Sequence, residues 1–77
     1  MALDNKYGVV LDEGGKLPPD EPVFVIRGRD LLAVPVIRFY AEKAEERGSP
    51  VFGQVMDVAD AIVLWQQAHP ERCKLPD

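Results

Sequence analysis

The sequence predicts an α+β fold: a short two-stranded antiparallel β-ribbon followed by an antiparallel αα-hairpin. Three observations lead there. A β-branched and aromatic run, "VFVIR" at 23–27, lies beyond a turn from another short strand-like run, "KYGVVL" at 6–11. Two stretches with helical periodicity follow, at 35–47 and 50–68. Only about two residues separate them, so the two helices must reverse direction and pack side by side.

Each element has a local reason. "DEGG" at 12–15 supplies glycines that turn the chain without steric cost. Pro18, Pro19 and Pro22 cannot donate to a β-ladder, which makes "KLPPDEP" an extended connector. After it, 23–27 pairs antiparallel with 7–11 in this reading. A ribbon of two strands is marginal unless something packs on one face.

Pro35 sets the start of the first helix, because proline is tolerated at the first helical position and not in the interior. "DLLA" at 30–33 then reads as a turn, with Asp30 as turn former. Gly48 occupies the place of a left-handed C-terminal cap. Ser49 as N-cap and Pro50 as first residue open the second helix, which His69 and Pro70 close, leaving a tail at 69–77.

Projected at 100° per residue, the second helix gathers Val51, Phe52, Val55, Met56, Val58, Ala59, Ile62, Val63 and Trp65 on an arc about 180° wide. One neighbour needs a stripe of roughly 100°. The excess predicts two neighbours: the first helix, and the ribbon or a second copy of the protein. Gln54, Asp57, Asp60 and Gln67 form the wet face, with Leu64 among them.

The 77 residues form one domain, which buries only about 60% of its unfolded surface. Its single cysteine, Cys73, excludes an internal disulfide, and one histidine excludes a His/Cys zinc site. Homo-oligomerisation is the remaining aid to stability. The start "MALDNKYG" has no basic, apolar signal-peptide pattern, and "LLAVPVI" and "AIVLW" are too short to span a bilayer. A cytoplasmic protein without a membrane partner is expected. The net charge of −4 disfavours nucleic acid as a partner.

No catalytic constellation, cofactor motif or metal site is read in the chain. Ser49 is accounted for as a cap. Cys73 and His69 stand four apart with Pro70 between, so helical facing of the pair is not assured. Asp57 and Asp60 lie on the wet face. A non-enzymatic protein is the expectation.

The arginines carry the remaining chemistry. Arg27 and Arg29, two apart in an extended segment, project to one side, and Arg38 follows in the first helix. Near them stand the amides of residues 36 and 37 at a helix start. Together these groups suit a phosphate, which guanidinium binds bidentately, with Tyr40 or Trp65 stacking on a base. The ordinary alternative pairs Arg29 with Asp30 or Glu21 and Arg38 with Glu42, and leaves Arg27 at a strand edge.

At "DEPVFVIRGRD", "PVIRFYAEKAEERG" and the closing "W…KLPD", the chain resembles a group of small uncharacterised proteins encoded by tailed phages and prophages. The resemblance spans most of residues 17–77 and implies a bacterial cytoplasm and an accessory product that acts by binding. Two functions follow as expectations. One is a self-associating binder of an anionic small molecule such as a nucleotide immune signal, a counter-defence sponge. The other is an interaction module that docks its apolar helix on a host or phage protein.

Overall fold

Helix α1 (Ala33–Glu46) and helix α2 (Phe52–Ala68) pack together as a hairpin, and a 3₁₀ turn at Pro70–Arg72 follows the second. The computed structural model describes the backbone of residues 2–4 and 8–10, and residues 13–76 in full.

Helix α1 begins two residues before Pro35. Asp30 Oδ1 accepts a hydrogen bond from the Leu32 amide at 2.8 Å, and the Asp30 carbonyl accepts one from the Ala33 amide at 3.0 Å. This turn directs the chain into the helix, and Pro35 still falls in the first turn, where a missing N–H costs nothing. The amides of residues 36 and 37 are therefore not an open helix start: the Val36 amide donates to the Leu32 carbonyl at 3.2 Å.

The end of α1 is a paired cap. Gly48 adopts φ 79°, its amide donates to the Glu45 carbonyl at 3.0 Å, and the Ser49 amide donates to the Ala44 carbonyl at 2.9 Å. That is the Schellman pattern, in which two carbonyls at the helix end gain donors. Ser49 thus belongs to the first helix and not to the second. The residue that precedes α2 is Val51, no side chain caps it, and Pro50 lies before the helix.

The α+β expectation is overturned. Residues 23–27 form no strand, and no strand occurs among residues 13–76. Of the strand expected over 6–11, Gly8–Val10 (β2) is extended and pairs antiparallel with Ala2–Asp4 (β1), three residues a side, while residues 6, 7 and 11 lie outside the described residues. This small pair contacts neither helix among the described residues, so it adds no layer to the core. The protein is a helical hairpin. The reason is tertiary: strand propensity describes fit to a pleated, half-buried surface, and Phe24 is 85% exposed.

The hairpin closes on small residues. Ala33, Ala41 and Ala59 are the buried hydrophobic residues, and no large side chain is fully buried among the described residues. Alanine at these positions lets the two helix backbones approach closely. Ile37, Val55, Ile62, Val63 and Trp65 flank that seam only half-buried. The second neighbour of α2 is the segment at 27–30, held to it by Gln66; this is a turn closed by the Asp30 amide donating to the Arg27 carbonyl at 3.0 Å, so Arg27 and Arg29 do not share the extended segment expected from the sequence.

Candidate functional site: a cationic groove beside helix α2

The segment at 27–31 is held from two directions. The side-chain amide of Gln66 on α2 donates to the Gly28 carbonyl at 2.8 Å and to the Asp30 carbonyl at 3.0 Å. On its other edge the Leu31 amide donates to the Lys74 carbonyl and the Lys74 amide to the Arg29 carbonyl, both at 3.0 Å, in a parallel bridge between Asp30 and Lys74. The backbone donors and acceptors that a sheet would have satisfied are met here by a glutamine and the C-terminal tail.

This anchoring leaves a groove of about 420 Å³ between the segment and α2. Val58, Ala61, Ile62 and Trp65 supply an apolar floor, and Arg27, Arg29 and Arg72 stand around it. None of the three arginines pairs with a carboxylate among the described residues. Arg72 instead lies over the Trp65 ring, its guanidinium carbon 4.9 Å from the centroid. The His69 ring stacks on the same indole at 4.5 Å and 26°. Its Nδ1–H donates to the Trp65 carbonyl at 2.9 Å, since a carbonyl can only accept.

The residues singled out in the sequence divide among three places. Arg27, Arg29 and Trp65 share the groove. Arg38 does not line it: its guanidinium faces Asp60 on α2 at 3.8 Å, an exposed pair that replaces the Glu42 partner considered above. Tyr40 lines a separate, wholly apolar groove of about 270 Å³ with Ile26, Val36, Ile37, Val55 and Val58. Trp65 already carries His69 and Arg72 on its ring, so it is not a vacant platform for a base.

Arg72 was missed in the sequence. Its signal was there: Trp65, His69 and Arg72 are spaced i, i+4, i+7, the spacing of one helical face. Pro70 stops α2, yet the 3₁₀ turn at Pro70–Arg72 continues the chain in the same sense and returns Arg72 to the indole.

The tail holds no nucleophile–base pair. Cys73 Sγ donates to the backbone carbonyl of His69 at 3.4 Å, while the imidazole is turned toward Trp65. Among the described residues no cluster of three or more His, Cys, Asp or Glu side chains is arranged to hold a metal ion. No helix there is long and apolar enough to cross a membrane.

Fold and groove together define a small helical-hairpin protein with a cationic, apolar-floored surface groove. Comparison with protein-family models, curated proteins and solved structures finds no match for this chain.

Proposed function

We propose that this protein is a non-catalytic binding protein that self-associates and takes an anionic small molecule in the Arg27–Arg29–Arg72 groove. One observation carries the reading: three guanidinium groups without carboxylate partners among the described residues surround an apolar floor in one 420 Å³ groove, a volume within the range of about 300–1,000 Å³ typical of ligand sites. Guanidinium groups bind phosphate and carboxylate oxygens bidentately, and the low-dielectric floor strengthens such contacts. In the phage setting that the sequence resemblance implies, a small phosphorylated signal is the natural ligand and sequestration the action.

Self-association follows from burial. Among the described residues the fully buried side chains are three alanines, which add little to a core, and Phe39, Tyr40 and Leu64 are each at least 60% exposed. A second copy supplies the missing apolar surface.

Native mass spectrometry with pyrophosphate, ADP and a cyclic dinucleotide tests both parts. The expected result is an oligomer that retains at least one of these anions and loses it on Arg29→Ala. A monomer without retained anion contradicts the reading. The same exposed apolar residues favour a second reading, docking on another protein. A specific protein partner captured by a variant lacking all three arginines would establish it in place of the first.

A further inference from the structure

The cationic groove does not end at the arginines. Val58 lines it on one side and lines the neighbouring apolar groove on the other. Ile26 and Arg27, adjacent in the chain, divide in the same way: Ile26 belongs to the apolar groove and Arg27 to the cationic one. The two depressions are thus consecutive along α2, with a charged end at Arg27, Arg29 and Arg72 and an uncharged end at Ile26, Val36, Ile37, Tyr40 and Val55.

The uncharged end exposes apolar atoms only. A nucleobase is read by hydrogen bonds to its edges or by stacking on a free aromatic face. The atoms exposed in that end offer no hydrogen bond, its one aromatic ring, Tyr40, stands among the aliphatic Ile26, Val36, Ile37, Val55 and Val58, and the Trp65 ring is in contact with His69 and Arg72. An alkyl chain asks only for apolar contact, and each buried methylene contributes about 0.8 kcal/mol.

We propose that the ligand is an anionic single-chain amphiphile, with its phosphate or carboxylate head at Arg27, Arg29 and Arg72 and its alkyl chain laid over Val58 into the Ile26–Val36–Tyr40 groove. This rests on the anion-binding reading above and replaces the base with a chain. The phosphate and carboxylate heads share the same chemistry at the arginines.

Trp65 is the single tryptophan of the chain and lies on the groove floor, so its fluorescence reports occupancy. The full-length protein is titrated with dodecyl phosphate and dodecanoate below their micelle concentrations, and with pyrophosphate and dodecyl maltoside. Saturable binding of one or both charged chains at least tenfold tighter than pyrophosphate is expected, with no saturable change from the neutral maltoside. Arg27→Ala and Val36→Ser each weaken the charged chain at least fivefold. Val36 is about half exposed, so its replacement leaves the helices intact by circular dichroism. Pyrophosphate binding as tightly as both chains overturns the amphiphile while the anion site stands. No response to any anion overturns both, and equal binding of the maltoside removes the role of charge.

Discussion

The side-chain amide nitrogen of Gln66 lies 2.8 Å from the carbonyl oxygen of Gly28, a contact that spans 38 residues and fixes one wall of the groove to helix α2. A second bond from the same nitrogen, to the Asp30 carbonyl at 3.0 Å, makes the glutamine a clasp. Each amide hydrogen has one acceptor, so the group is fully used as a donor.

Gln66→Ala removes both bonds: the part-buried Gly28 carbonyl loses its donor, while the Asp30 carbonyl keeps only the Ala33 amide. The expected cost is about 1–3 kcal/mol, read as a lower urea midpoint with unchanged slope. Faster hydrogen exchange at the Leu31 and Lys74 amides accompanies it, because the bridge they form depends on the same segment. Unchanged exchange there would show that the tail alone holds it.

Ala41 is fully buried between the helices. Ala41→Leu forces the backbones apart or strains the new side chain, at about 1–3 kcal/mol. Thermal unfolding followed by circular dichroism measures this. An unchanged midpoint would mean that the seam is loose enough to admit three more carbons.

Two glycines answer differently to a methyl group. At Gly48 nothing lies within 4 Å of an added Cβ, but φ is 79°. Gly48→Ala is therefore destabilising through backbone strain alone, by about 1–2 kcal/mol. At Gly28 the added Cβ meets Ile62 Cγ1 at 3.9 Å, an ordinary contact, and φ is not positive. Gly28→Ala leaves the unfolding midpoint within about 0.5 kcal/mol of the parent, the usual range away from special backbone geometry. Denaturant titration of the pair side by side checks the contrast.

The helices were legible in the sequence because apolar spacing and punctuation agree there. Gly48 marks the end of α1 through its φ, and Pro35 limits where it begins; the difference of two residues at the start comes from Asp30, whose carboxylate and carbonyl pull Leu32 and Ala33 into the turn. The strand at 23–27 was not legible as coil. "VFVIR" suits a sheet, and what decides its fate is distant: Gln66 and Lys74 take up the backbone groups of the residues that follow it. The same distance hid half of the site. Arg27, Arg29 and Trp65 meet because the clasp lays the segment on α2. Arg38 on α1 faces Asp60 on α2 across the hairpin, and Arg72 reaches the indole through a turn beyond Pro70.

Arg72 and Arg38 therefore separate the groove seen in the structure from the cluster read in the sequence. A charge-assisted contact is worth about 1.5–3 kcal/mol, or about ten- to a hundredfold in affinity. The exposed Arg38–Asp60 pair contributes at most about 1 kcal/mol to stability and nothing to a ligand it does not touch. The deciding measurement is one calorimetric titration of pyrophosphate into the parent protein, Arg72→Ala and Arg38→Ala at low salt. Binding weakened tenfold or more by Arg72→Ala and changed less than twofold by Arg38→Ala is the expected result; loss on Arg38→Ala with Arg72→Ala unaffected would contradict the groove as the site.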